Sequence, residues 1–215
     1  VEAMNTDTSD AKQSVPTWRL VAAGVTLAVG AWCTWASLRI APGDPDFLPM
    51  ATLLALTWLT GAIVVGGRPR LVEAGSRWRL AIGIGVALCV ASLVGGALVR
   101  FVPYVGEIVL EVLAHSASGP LALIAVVTAA AGLAEELFFR GALYSLTKVH
   151  PIVVTTCIYA LVTAASGNIM LVGAAVLVGG VTAVQRSLTG GIAVSVGTHV
   201  LWAMTMLFAL PHLLG

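Results

Sequence analysis

Apolar residues run along this chain in long stretches separated by short polar intervals. The stretches fall at Trp18–Ile40, Phe47–Gly66, Leu80–Val99, Leu121–Leu146, Pro151–Ser166, Ile169–Val184 and Gly191–Leu210. A helix needs about 20 apolar residues to cross the hydrocarbon core of a bilayer. The pattern therefore predicts an all-α fold, a polytopic transmembrane helix bundle of about seven spans. The fifth and sixth stretches are shorter and are expected to pack inside the bundle or to tilt little. Gly119-Pro120 precedes the fourth stretch and Pro151 sits at the first turn of the fifth; both are helix-start signals.

The polar intervals divide the chain into a tail at 1–17, N-terminal helices and loops at 18–118, and a C-terminal core at 119–215. The tail carries Asp7, Asp10 and Lys12 and is expected to be disordered and cytoplasmic. The first apolar stretch is too long for a cleaved signal peptide and holds two internal tryptophans. Trp32, directly before Cys33, is the wrong residue for a lipoprotein signal. Arg100–Ser118, with Pro103, Glu107 and Glu111, reads as an amphipathic segment lying on the membrane surface. There is no soluble domain, low-complexity tract or internal repeat in the pattern.

Composition sharpens this reading. Apolar residues make up 59 % of the 215 residues and charged ones 10 %, against about 25 % charged in an ordinary soluble domain. Mean hydropathy is +0.99. A soluble enzyme, a disordered segment, a disulfide scaffold and a nucleic-acid binder are all excluded. Cys33, Cys89 and Cys157 lie inside apolar runs and are odd in number, which argues against a structural disulfide or a cysteine-based zinc site.

Net charge is only +1, but its distribution is informative. With seven spans, Lys12, Arg19, Arg68, Arg70, Arg77, Arg79, Lys148 and Arg186 fall on one side. Arg39 and Arg100 fall on the other, beside Asp44, Asp46, Glu107 and Glu111. Basic residues gather on the cytoplasmic side of membrane proteins, so the N-terminus is expected inside and the C-terminus outside. Trp18 and Trp78 lie at the basic side, as interfacial anchors do. The compact chain is expected in a prokaryotic plasma membrane.

The fourth stretch holds the feature that composition does not explain: Glu135-Glu136-Leu137-Phe138-Phe139-Arg140-Gly141. Each charge at the centre of a span costs about 2.5–3.5 kcal/mol on insertion scales, so such residues face a protein interior or a wet cavity and tend to be functional. Glu136 and Arg140 are four residues apart and share a helix face. Glu135 points about 100° away. Arg140 can neutralise Glu136 and leave Glu135 free to titrate. Two environments for adjacent carboxyls separate a base from its support. The preceding Thr128-Ala129-Ala130-Ala131-Gly132 is nearly all small, which lets another helix approach the Glu136 face. The structural alternative is a helix end whose glutamates reach interfacial water while Arg140 snorkels.

The pattern E-E-x-x-x-R, here Glu135-Glu136-x-x-x-Arg140 followed by Gly141, resembles the CAAX-protease and bacteriocin-processing (CPBP/Abi) family of intramembrane glutamic endopeptidases, related to the type II CAAX prenyl endopeptidases. The resemblance covers about Leu121 to Leu210, and the first three spans carry no signature of it. It implies Glu135 as the general base that activates a water, with Glu136 and Arg140 as support. The family's last motif, a histidine followed four residues on by a polar residue, is matched by His199, with Ala203 in the polar place. Its middle motif, F-x-x-x-H, is replaced by Tyr159-Ala160-Leu161-Val162-Thr163. Threonine is neither a base near neutral pH nor a metal ligand of the imidazole kind. By itself, His199 also reads as a buried neutral histidine bonded to Ser195 or to a carbonyl.

Thr156, Tyr159, Thr163 and Ser166 recur at three- and four-residue spacing and form a hydroxyl stripe on the fifth helix. Tyr159 and Thr163 are expected on the wall of a cavity facing Glu135. Ordinary helix–helix hydrogen bonding explains such a stripe equally well. No H-E-x-x-H or cysteine pair is present, and His115, His150 and His212 fall in loops or at span ends. No cofactor is expected, and a divalent metal at Glu135/His199 is only thinly supported. The expected partners are membrane lipid and a peptide or protein substrate, a prenylated one included, and not nucleic acid. The expected site joins Glu135, Glu136, Arg140 and His199 in one polar cavity, open towards the cytoplasmic half. The expected reaction is hydrolysis of a peptide bond in or beside the membrane. The competing reading is a catalytically weakened member that binds a membrane partner, as an immunity-type protein would. A small transporter lacks the repeat symmetry it would need.

Overall fold

The computed structural model describes residues 15–66, 70–73, 76–99, 101–102, 106, 108–109, 114 and 119–214. The polar tail lies outside these residues apart from its last positions, and so does most of the segment expected at the membrane surface. Among the described residues, seven helices form the bundle: α1 (Thr17–Ser37), α2 (Phe47–Val65), α3 (Trp78–Val99), α4 (Leu121–Glu136, prolonged by Leu137–Leu143 and Tyr144–Leu146), α5 (Pro151–Ala164), α6 (Ile169–Thr189) and α7 (Ala193–Leu214). The described residues contain no strand. Six of the helices, all but α5, are long and apolar enough to cross a membrane. The chain is an integral membrane protein with a polytopic helical bundle.

Helix ends follow local chemistry. Pro151 opens α5 after His150, which takes the left-handed conformation at φ 47°. The Asn168 side chain caps α6 by accepting from the amides of Met170 and Leu171. Gly190 ends α6 with φ 66°, a conformation that glycine adopts without a Cβ penalty. Two expectations change here. The sixth helix does not stop at Val184 but runs to Thr189, 21 residues in all. The polar residues that broke the apolar run are partnered inside the bundle: the Gln185 amide donates to the Ala81 carbonyl and to Thr198 Oγ1. The fifth helix is short, with 14 residues, about 21 Å at 1.5 Å per residue. It is not enclosed, since Val153 and Leu161 are exposed on its outer side.

Packing joins the two halves of the chain. α2 lies on α1 and α4; α7 lies on α3 and α4; α6 lies on α5, α3 and α7. The centre is aromatic. The Trp58 ring of α2 sits 5.2 Å from that of Phe138 and 5.0 Å from that of Phe139, all three fully buried. Gly30 lets α1 approach this cluster, because a Cβ there would stand 2.1 Å from the Trp58 ring.

Polar contacts define one end of the bundle. Arg19 Nε donates to the Val65 carbonyl. The α2–α3 loop is clasped to the α6–α7 turn: Glu73 N–H donates to Thr189 O, Arg77 N–H to Leu188 O, and Ile192 N–H to Arg70 O. Arg19, Arg70, Arg77 and Arg186 therefore gather at this end. Arg39, Asp44 and Asp46 follow α1, a helix of 21 residues, and lie at the other end.

Candidate active site

Glu135 and Glu136 close the α-helical part of α4, and the backbone then widens into a π-helical segment, Leu137–Leu143, which carries Arg140. Insertions of this kind are frequent at functional sites. Here it coincides with the aromatic cluster, so Phe138 and Phe139 both turn inward against Trp58. Arg186 Nε donates to the Arg140 carbonyl at 3.1 Å, tying the segment to α6.

Glu136 and Arg140 are both fully buried, and Arg140 Nη1 stands 3.2 Å from Glu136 Oε1. This is the ion pair that the four-residue spacing predicts. The same carboxylate oxygen lies 2.8 Å from His199 Nδ1 of α7. An ionised carboxylate only accepts, so Nδ1 carries the hydrogen and Nε2 is turned elsewhere. It is turned to Glu135, whose Oε2 lies 3.8 Å away. Gly132 faces the His199 ring, with its Cβ position 3.5 Å from His199 Cδ2. The small-residue stretch before the glutamates thus lets α7 lie close, as its composition suggests.

Glu135 takes the other direction. Its side chain is 16 % exposed, where that of Glu136 is 0 %. The Tyr159 hydroxyl of α5 donates to Glu135 Oε2 at 2.5 Å. Beside them lies a cavity of about 190 Å³, lined by Glu135, Tyr159, Thr163, Thr34, Trp58 and Trp202 among others. The adjacent glutamates therefore occupy two environments. Glu136 is tied to Arg140 and His199, and Glu135 faces open space.

The four expected site residues meet, but they do not share one cavity as expected. Glu136, Arg140 and His199 lie behind Glu135 and do not line it. Nor does the cavity extend towards the basic end. Thr34 is in the last turns of α1, Thr163 in the last turn of α5 and Leu171 in the first turn of α6, so the lining lies in the half nearer Asp44 and Asp46. The reason is depth. Glu135 is 11 residues before the end of the fourth span at Leu146, well inside the bundle. At that depth, packing and not sequence proximity to Lys148 decides which side the space is on.

The hydroxyl stripe of α5 divides. Tyr159 and Thr163 reach the cavity, although Thr163 Oγ1 itself donates to the Tyr159 carbonyl. Ser166 Oγ accepts from the Asn168 amide. Thr156 Oγ1 is buried without a hydrogen-bond partner among the described residues. Residues that the sequence did not single out complete the site. Gly179 of α6 is one, with its Cβ position 3.0 Å from both Arg140 Nη2 and Tyr159 Cδ1. Thr34 and Trp58, from helices without a motif, supply the far wall. Among the described residues, no group of three or more His, Cys, Asp or Glu side chains is arranged to hold a metal ion.

Comparison with protein families gives a match over residues 117–205 to the family described as Rce1-like, type II CAAX prenyl endopeptidase Rce1-like. This agrees with the resemblance read from Glu135-Glu136-x-x-x-Arg140 and His199, and it spans α4, α5, α6 and the part of α7 that bears His199. Comparisons with curated proteins and with solved structures give no match. The helices that bring Glu135, Tyr159 and His199 together are thus similar to the type II CAAX prenyl endopeptidases, and the family likeness of the chain rests on them.

Proposed function

We propose that this protein is an intramembrane endopeptidase in which Glu135 is the general base. The observation that carries the reading is the placement of Glu135. It faces a cavity inside the bundle while its neighbour Glu136 is held by Arg140 and His199. A water between Glu135 Oε2 and His199 Nε2 is within reach of both, since they stand 3.8 Å apart and hydrogen bonds to oxygen run at about 2.8 Å. Glu135 takes the water proton as the oxygen attacks the peptide carbonyl. Glu136 fixes the orientation of His199, as a buried carboxylate does for a catalytic imidazole, and Arg140 balances its charge. The substrate is a peptide presented at the membrane. We place the basic end of the bundle in the cytoplasm of a prokaryotic cell, a reading supported by the gathering of Arg19, Arg70, Arg77 and Arg186 at that end.

The test is cleavage by the protein in proteoliposomes. Quenched peptides with and without a farnesylated cysteine are compared for wild type and Glu135→Gln. Removing a general base lowers the rate by about 10²–10⁴-fold. Cleavage by Glu135→Gln at close to the wild-type rate sinks the mechanism. A second reading, a member that binds but does not cut, draws on the Thr163 hydroxyl being bonded to its own helix and on Ala203 in the family's polar place. It is favoured if neither wild type nor Thr163→His cleaves either peptide.

A further inference from the structure

We propose that Tyr159 is a catalytic residue, whose hydroxyl serves the oxyanion of the tetrahedral intermediate. The inference rests on the endopeptidase reading and deepens it.

The hydroxyls around the cavity differ in where they are directed. Thr34 Oγ1 donates to the Gly30 carbonyl and Thr163 Oγ1 to the Tyr159 carbonyl, so each is bonded to its own helix. Tyr159 alone among these three sends its hydroxyl to the carboxylate that faces the cavity. The ring is held from several directions. The Phe139 ring lies 4.8 Å from it, the Arg140 guanidinium carbon 5.0 Å above it, and Gly179 has no side chain to displace it. With the ring held in this way only the O–H bond has to reorient during reaction, and small reorganisation is the property that makes oxyanion donors effective.

The chemistry gives this hydrogen bond a timing. Before reaction the hydroxyl donates to ionised Glu135, a charge-assisted bond. As the water oxygen bonds to the peptide carbon, one water proton passes to Glu135. The carboxyl becomes a poorer acceptor in the same step that places negative charge on the carbonyl oxygen. The Tyr159 hydroxyl then turns to that oxygen and keeps its own proton. On collapse the carbon–nitrogen bond breaks and the proton on Glu135 goes to the departing nitrogen. One water is consumed and one peptide bond is cut. The donor serves the intermediate more than the ground state, so it raises kcat.

The experiment compares wild type and Tyr159→Phe in lipid nanodiscs, since phenylalanine keeps the ring and removes only the hydroxyl. Cleavage of a quenched peptide gives kcat and KM. Binding is measured for a phosphonate analogue of the same peptide, a stable tetrahedral anion, and for the uncleaved peptide on a Glu135→Gln background. The expected result is a fall in kcat of about 10²–10³-fold with KM nearly unchanged. Affinity for the phosphonate should fall with it while affinity for the peptide does not. A kcat within about threefold of wild type overturns the proposal, as does a loss shared equally by peptide and phosphonate. If wild type cleaves nothing, the endopeptidase reading fails. The phosphonate then decides the tyrosine separately: weaker binding by Tyr159→Phe supports an anion-binding hydroxyl, and equal or absent binding refutes it.

Discussion

His199 Nδ1 lies 2.8 Å from Oε1 of Glu136, the oxygen that also carries Arg140. One buried carboxylate thus sets both the charge balance of α4 and the orientation of the ring on α7. Replacing Glu136 by glutamine leaves the fully buried Arg140 uncompensated. An unpaired buried charge costs about 3–5 kcal/mol, whereas replacing both members of a buried pair with apolar residues of similar volume is often neutral. Glu136→Gln should therefore unfold far more readily than wild type in detergent. Glu136→Leu with Arg140→Met should recover much of that loss without restoring function. Thermal unfolding of the two variants checks this, and equal stability of Glu136→Gln and wild type would count against the ion pair.

Gly179 and Gly180 are adjacent on α6 but face different surroundings. A Cβ on Gly179 lies 3.0 Å from Arg140 Nη2 and from Tyr159 Cδ1, while one on Gly180 meets nothing within 4 Å. Gly179→Ala should destabilise by about 1–3 kcal/mol, the usual cost of overpacking. It should also lower any cleavage activity by displacing Tyr159. Gly180→Ala should be neutral or stabilise by up to about 1 kcal/mol, because alanine is the better helix former. Unfolding midpoints measured side by side test the pair, and reversal of their order would show that α6 packs otherwise.

The cavity lies in the half of the bundle nearer Asp44 and Asp46, so access to it is expected from that side. In a background with Cys33, Cys89 and Cys157 replaced, Thr163→Cys should react with a small thiol reagent. Thr155→Cys, at a position that is fully buried, should not. The reagent should reach Thr163→Cys faster from the side that labels Asp44→Cys than from the side that labels Arg77→Cys. Labelling of Arg77→Cys and Lys148→Cys on opposite faces would overturn the seven-helix topology.

The clasp between loop and turn offers a test far from the site. A Cβ on Gly191 would stand 1.9 Å from the Leu71 carbonyl oxygen, so Gly191→Ala must open the clasp. A loss of about 1–3 kcal/mol in unfolding free energy is expected, in the range of overpacked positions. Faster proteolysis between α2 and α3 should accompany it, and unchanged cleavage there would show that the clasp does not hold that connection.

Much of this arrangement is legible in the sequence. Span positions followed from apolar runs, and the Glu136–Arg140 pair followed from a four-residue spacing. Gly132 and the alanines before it announced a close helix neighbour on the Glu136 face, and the fold makes that neighbour α7. Other features were hidden for definite physical reasons. The π-helical segment has no composition of its own, since Leu137–Leu143 is as apolar as its surroundings save for Arg140. The last turn of α6 looked like a loop because Gln185 and Arg186 are polar, and only their partners on α3, α7 and α4 make it helix. Trp58 and Thr34 bear on the site through packing between helices distant in sequence, which periodicity along one helix does not report.

The placement of α3 has a consequence for how the chain is assembled. Its principal neighbours are α6 and α7, and the Gln185–Ala81 and Trp202–Ser92 hydrogen bonds connect residues more than 100 positions apart. A ribosome delivers α3 to the bilayer long before those partners exist. During that interval the newly inserted span lacks its two principal neighbours, and its Ser92 hydroxyl has no indole to receive. Completion of the bundle is therefore a late event in biosynthesis. A chain stopped before α6 emerges would leave an orphaned span of the kind that membrane quality control removes.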